Sequence, residues 1–183
     1  MSPLVLILDA SAVLSVQQIT SSILIDYNNE IDIQFLTTSE IINEIKDSIS
    51  KLRIESLVAS KELIIKSVSK EASEFIEKFS VKIGNNLKLS MQDKSILALA
   101  WDENNSKPKD QTVILLSDDY EILNTAKIMK IKFKPVRTKG IRYSAKFYKI
   151  CFACGNKVQM EDTDCDNCGS LKFKTKKIPY RNK

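Results

Sequence analysis

Two short apolar runs that each end on acid set the architecture of this chain. Leu4-Val5-Leu6-Ile7-Leu8 closes on Asp9, and Thr112-Val113-Ile114-Leu115-Leu116-Ser117 closes on Asp118-Asp119. Unbroken runs of this length lack the polar alternation of a half-exposed strand, and they are the pattern of strands covered on both faces in a parallel sheet. Such sheets keep their sites at the carboxyl ends of the strands. The chain contains no histidine, which excludes histidine-based nucleophile and base relays and any imidazole-bound zinc. Carboxylates must carry any acid, base or metal chemistry.

Further strand-like segments fall at 31–36, 63–68 and 131–136, and the stretches between them have helical periodicity. Helices are expected over 11–26, 69–83 with Gly84 as the stop, 90–102 and 121–130. Another follows Thr37, with Ile41, Ile42, Ile45, Ile49 and Leu52 as its apolar stripe. Alternation of strand and helix implies right-handed crossovers and an α/β sheet with helices on both sides. With the first strand central, Asp9 and the Asp118-Asp119 doublet flank one crevice at the switch point. Only four glycines are present, in no Gly-x-Gly-x-x-Gly or Walker arrangement, so a glycine-cradled nucleotide is not expected.

At 183 residues the chain suits one domain of roughly 130 to 150 residues and a small appendage. The expected division is a catalytic body over 1–136, a basic linker over 137–142, and a cysteine module with a basic tail over 143–183. No segment approaches the roughly 18 apolar residues of a membrane span, and the first run is too short for a signal peptide, so a cytoplasmic location is expected. The net charge of +5 is divided unevenly: residues 134–183 hold 13 Lys+Arg against 4 Asp+Glu, the rest 15 against 19. An acidic body with a basic tail is the electrostatic footprint expected for a polyphosphate such as RNA.

All four cysteines lie in one stretch as Cys151-x-x-Cys154-Gly and Cys165-x-x-Cys168-Gly. Two such corners bring four thiolates to one Zn²⁺, and the glycines after them permit the tight turn a knuckle needs. A closed four-cysteine site leaves the zinc structural. Disulfides are disfavoured, because Cys-x-x-Cys closes a strained loop and a cytosolic chain is kept reduced.

Among the acids, Asp9 joins a buried strand to the small residues Ala10-Ser11-Ala12, where it either caps the following helix or faces a ligand. Thr37-x-x-Glu40 fits a capping box, and Asp47 has Lys51 at i+4. Glu44 has no such partner and is the candidate on that helix. Ser90-x-x-Asp93 is a second capping box, compatible with a first-turn carboxylate that also points into the crevice. Of Asp118 and Asp119, one is expected to hold metal while the other caps the helix from Tyr120, with Ser117 able to orient a metal-bound water.

In LVLILDAS, TTSEIINEIKD, LSMQDKSILALA and LLSDDYEILNTA, in that order, the chain resembles the PIN-domain ribonucleases. With the cysteine ribbon after the last strand, its whole length is similar to archaeal forms of the Nin-one-binding endonuclease family, which matures the 3′ end of small-subunit ribosomal RNA. The resemblance implies strand order 3-2-1-4-5, a Mg²⁺- or Mn²⁺-dependent single-strand endoribonuclease, work on pre-ribosomal particles and a KH-type partner. It assigns Asp9, Glu44 and Asp93 as metal-coordinating acids. Asp119 fills the family's Thr-x-Asp position, Ser117 replacing the threonine, and Asp118 is carried as a further catalytic candidate. Arg137, Lys139, Arg142, Tyr143, Lys146 and Lys149 are candidates for gripping phosphate and stacking bases, with Phe147 and Phe152 read as the ribbon's small core. The competing readings are a catalytically silent RNA-binding assembly factor and a toxin-like ribonuclease acting on mRNA or tRNA.

Overall fold

A computed structural model describes residues 4–16, 19, 32–85, 88–108, 110–137 and 144–180. Its main sheet has five parallel strands, β1 (Leu4–Leu8), β2 (Ile33–Thr37), β3 (Leu63–Ile65), β4 (Thr112–Leu116) and β5 (Phe133–Lys134), ordered β3-β2-β1-β4-β5. β1 is central, and all five of its residues are buried, as its unbroken apolar run requires. Leu4 pairs with Ile33 on one side and Thr112 on the other, so the carboxyl ends of β1, β2 and β4 lie level along one edge. The outer strands are shorter than the runs at 63–68 and 131–136, because each has a ladder partner on one side only and ends where that pairing ends.

The helices are α1 (Ala10–Val13), α2 (Ser39–Glu44), α3 (Ser48–Ala59), α4 (Lys70–Lys82), α5 (Met91–Ser106) and α6 (Tyr120–Ile128). Residues 17, 18 and 20–31, most of the expected first helix, lie outside the described residues. α5 is buried from Ser95 to Ala100 and forms the floor under the sheet. Its start faces the functional edge, because a crossover helix runs antiparallel to the strands it joins.

One expected helix divides in two. Ile45 leaves the helical conformation at ψ 113°, and Asp47 starts α3 by accepting from the Ser50 amide at 2.8 Å. The stripe therefore does not continue: Ile41 and Ile45 are buried, whereas Ile49 and Leu52 are 82% and 67% exposed. Asp47 is a cap and forms no ion pair with Lys51 among the described residues. Nor is the Thr37 capping box formed. Thr38 caps α2, while Thr37 donates to the Leu8 carbonyl at 2.9 Å and ties the end of β2 to the end of β1.

A second, antiparallel sheet comprises β6 (Ser144–Cys151), β7 (Lys157–Val158) and β8 (Phe173–Tyr180), in the order β7-β6-β8. Its core is Cys151, Val158 and Cys165, with Phe173 against them. Phe152, expected in that core, is 73% exposed. Phe147 serves a different contact. Its amide donates to the Ile83 carbonyl at 3.0 Å, Lys88 lies over its ring, and its Cβ sits where a side chain on Gly84 would be. Gly84, at φ +74°, thus stops α4 and seats β6 on it. No helix among the described residues is long and apolar enough to cross a membrane.

Candidate active site and metal centre

Asp9 ends β1 and caps α1, and it is 6% exposed. One carboxylate oxygen accepts from the Ala12 amide and the Ser11 hydroxyl, both at 2.9 Å, and the other accepts from the Ser117 hydroxyl at the end of β4. Burial is the main force raising its pKa, and the charge of Asp118 adds to it, against the lowering effect of the hydrogen bonds. Ser117, itself fully buried, also accepts from the Asp119 amide at 3.0 Å. It is a clamp between β1 and the start of α6, so its hydroxyl is directed at Asp9 and not at a water.

The adjacent aspartates point to different tasks, as their neighbouring positions require. Asp119 caps α6, with a single oxygen accepting from the Glu121 and Ile122 amides at 2.7 and 3.1 Å. Asp118 reaches across to the chain leaving β5 and accepts from the Val136 amide at 3.1 Å and the Arg137 amide at 3.0 Å. Asp93 forms the full capping box with Ser90 at the start of α5. Glu44, the last residue of α2, is exposed. A pair of hydroxyls, Thr38 and Ser95 at 2.8 Å, joins the start of α2 to the first turns of α5. Ser117 thus links Asp9 to Asp119 at the ends of β1 and β4, while Asp93 sits in the first turn of α5 and Glu44 at the end of α2. The sequence pattern presents Thr37 as a helix cap and gives the supporting hydroxyls of Ser11, Thr38 and Ser95 no such role; the signal for Ser11 and Thr38 is the small hydroxyl residues just past a buried strand, and Ser95, inside α5, has none of that kind.

These acids form a lined edge, not a closed chelate. Among the described residues, only the cysteines bring three or more ligand atoms within 4.8 Å of one another. Ionised carboxylates repel, and Asp9, Asp93 and Asp119 are each tied to a helix cap, so they stand apart. Their donor set is entirely oxygen, which suits a hard divalent cation such as Mg²⁺ or Mn²⁺. A cation would also relieve the cost of ionising Asp9 in a buried place.

The cysteine cluster is compact. The sulfurs of Cys151 and Cys168 are 3.5 Å apart, and those of Cys154 and Cys165 are 3.6 Å apart. Tetrahedral bonds of about 2.3 Å to one zinc would put sulfurs about 3.8 Å apart, so the set fits that ion closely. Gly155 and Gly169 take φ +74° and +67° after the two corners. The Cys154 amide leads in drawing the Cys151 thiol down to about 6. Cys168 is pushed up to about 12: the Ser170 amide lowers it, but the neighbouring thiols of Cys154 and Cys151 outweigh that. Four thiols alone cannot all ionise side by side; Zn²⁺ permits it.

Comparison with known proteins gives the family. A family model described as the PIN domain of ribonuclease matches residues 6–102. The chain is 32% identical over 155 residues to Endoribonuclease Nob1 of Pyrococcus abyssi, covering 84% of this chain and 89% of that protein. The chain belongs to the PIN-domain Nob1 endoribonuclease family. Endoribonuclease Nob1 of Methanocaldococcus jannaschii is 31% identical over 178 residues, 94% of this chain and 84% of that protein. Ribonuclease VapC1 of Thermoplasma acidophilum is 29% identical over 150 residues, 82% of this chain and 72% of that protein. The PIN match contains Asp9, Glu44 and Asp93 and stops before the Ser117-Asp118-Asp119 segment. The parallel sheet in order 3-2-1-4-5, the family and the endoribonuclease class are those implied by the resemblance in sequence.

Of the RNA-binding candidates, Lys139, Arg142 and Tyr143 lie outside the described residues, as does the Lys146 side chain. Arg137 is exposed and donates to the Ser15 hydroxyl at 2.8 Å. Lys149 donates to the Asp162 carbonyl at 2.7 Å and lies over the Phe173 ring.

Proposed function

We propose that this protein is a Mg²⁺- or Mn²⁺-dependent endoribonuclease that cuts single-stranded RNA and matures the 3′ end of small-subunit ribosomal RNA within a pre-ribosomal particle. The observation that carries the reading is the buried Asp9 carboxylate at the central strand's end, clamped from the neighbouring strand by Ser117. Asp9, Glu44, Asp93 and Asp119 hold the cation. When bound, the cation supplies Lewis acidity toward the scissile phosphate and lowers the pKa of an attacking water. Ser11, Ser117 and the Ala12 amide fix the Asp9 carboxylate in one orientation and leave about one of its lone-pair sites for the cation. The products are a 3′-hydroxyl and a 5′-phosphate.

Residues 1–136 act as the nuclease body, 137–142 as a linker and 143–183 as a zinc ribbon. Arg137, Lys139, Arg142, Tyr143, Lys146 and Lys149 grip the RNA at their junction, and a KH-type assembly factor presents it. The test incubates the protein with Mn²⁺ and an RNA spanning the small-subunit 3′ boundary, then maps the ends. Cleavage at the boundary that chelation abolishes is expected, and Asp9→Asn should reduce the rate by about 10²–10³-fold while RNA affinity holds. Undiminished cleavage by Asp9→Asn would overturn the assignment. The VapC1 relative favours a second reading, a ribonuclease directed at mRNA or tRNA. A substrate panel separates the two: preferential cutting of mRNA or tRNA supports the second.

A further inference from the structure

Resting on that reading, we propose that Arg137 is a backbone-phosphate clamp at the mouth of the active site, and that Asp118 is the positioning residue that holds it there. Asp118 is the acid of the cluster that reaches away from its own helix. It takes the Val136 amide at 3.1 Å and the Arg137 amide on both oxygens, at 3.0 and 3.1 Å. That segment needs an anchor, because β5 is only two residues long and its ladder to β4 ends at Lys134. Asp118 thus directs its carboxylate to the segment leaving β5, away from its own helix, whereas Asp119 caps α6 through one oxygen and its other oxygen takes no hydrogen bond among the described residues.

The pinned backbone turns the Arg137 guanidinium back across the sheet edge to Ser15, at 2.8 Å. Ser15 is 2% exposed, and its hydroxyl donates to the Ser11 carbonyl at 3.1 Å. Ser11 in turn donates to Asp9. The guanidinium is therefore held against the helical turn that Asp9 starts. Five N–H groups radiate from it; Ser15 takes one, and no carboxylate pairs with it among the described residues. A fixed, exposed, unpaired fork beside an acidic edge is suited to a phosphodiester, which it can bind through two oxygens. It supplies there the positive charge that an anionic strand needs to approach carboxylates. The bland alternative is a brace: Arg137 merely ties the chain after β5 to the end of α1.

The test has two arms. In the first, a short single-stranded RNA is titrated into the Asp9→Asn protein, with and without further substitutions, at several salt concentrations. Arg137→Ala should weaken binding about tenfold and flatten the salt dependence by about one counterion. Arg137→Lys should recover only part of this, because it keeps the charge and loses the fork. Asp118→Asn should weaken binding in the same direction, and the double substitution should be no worse than Arg137→Ala alone. In the second arm, Mn²⁺ is titrated into the otherwise unaltered protein. Asp118→Asn should keep its Mn²⁺ affinity and Asp119→Asn should lose it. Where Arg137→Ala does not fold, Arg137→Gln keeps a polar side chain of intermediate length without the charge and reads the same loss. RNA affinity and salt slope unchanged in Arg137→Ala or Arg137→Gln would reduce the residue to a brace. Loss of Mn²⁺ affinity in Asp118→Asn with RNA affinity intact would make Asp118 a ligand. Failure of the wild-type protein to cut any RNA would defeat the proposed function, whereas both arms read binding and still decide the roles of Arg137 and Asp118.

Discussion

Asp9 is the residue where stability and chemistry are opposed. Its burial raises its pKa above the ordinary carboxylate value, with Asp118 adding to the effect. The sign follows: a carboxyl whose folded pKa is raised favours the fold while protonated, and that contribution is lost as pH rises through the raised value. Burial therefore works against the ionised form of Asp9 in the metal-free protein. Asp9→Asn should raise the thermal midpoint of the metal-free chain by about 2–4 °C at pH 7 while removing cleavage, the trade typical of a site acid. Calorimetry in a chelating buffer reads it, and a lowered midpoint would mean that the carboxylate is structurally required. Mn²⁺ should stabilise the wild type more at pH 7 than in acid, where protons compete for the same oxygens, and should leave the Asp9→Asn midpoint almost unmoved. Ser117 has the opposite character. It is fully buried and bonded on both sides, so Ser117→Ala should cost about 1–3 kcal/mol, measured by urea unfolding, by leaving Asp9 and the Asp119 amide short of a partner.

At the scale of elements, what could be read from the chain was what repeats along it. β1 is legible because a strand buried on both faces needs an unbroken apolar run, β4 because its run is nearly as apolar though one face is only partly buried, and α5 because Ser90 and Asp93 form a cap whose two halves are both local. The break between α2 and α3 was not legible. Ile41 to Leu52 keeps helical spacing, yet Asp47 satisfies the Ser50 amide and restarts the helix in a new direction, turning Ile49 and Leu52 outward. Thr37 and Thr38 are equally good caps on paper, and the choice is made by the Leu8 carbonyl, which is 29 positions away in the chain. The doublet's division of labour was equally hidden, since the Val136 and Arg137 amides come to Asp118 only once β5 has paired with β4. Gly84 shows both sides of this. Its role as a helix stop is local, but its role as a seat is tertiary: a Cβ there would lie 2.5 Å from that of Phe147. Gly84→Ala should therefore cost more than the roughly 1–2 kcal/mol of the left-handed conformation alone. Denaturant unfolding measures this, and Gly84→Ala should cost less in a Phe147→Gly background than in the wild type, because only glycine at 147 removes the opposing Cβ.

The whole molecule combines two means of stability. The five-stranded sheet has an ample apolar core of its own, running from β1 through α5. Among the described residues, the core of the three-stranded sheet is Cys151, Val158 and Cys165 with Phe173 against them, far too little to offset the conformational entropy of ordering some 35 residues without a metal. The zinc proposed for the four cysteines would supply the difference, and its loss should unfold one part and spare the other. Release of zinc by a thiol-modifying reagent should therefore free about one equivalent per chain, read with a colorimetric chelator. The slow-exchanging amides of β1 and β4 should persist, while those of β6 and β8 exchange at once. Cys154→Ser should do the same without reagent. The charge asymmetry adds a functional consequence. Lys172, just before β8, and Lys174, Lys176 and Lys177 within it are exposed, and Lys177 lies over the Tyr120 ring at the start of α6, a spacing that only the folded ribbon holds. Zinc-free protein keeps every one of those charges but not their spacing. Its RNA affinity should thus fall although its net positive charge rises, since removing the four-thiolate zinc centre and reprotonating or capping its sulfurs takes away negative charge. Affinity unchanged or strengthened after zinc release would mean that the basic segment acts as a diffuse tail and that the ribbon's fold contributes nothing to holding RNA.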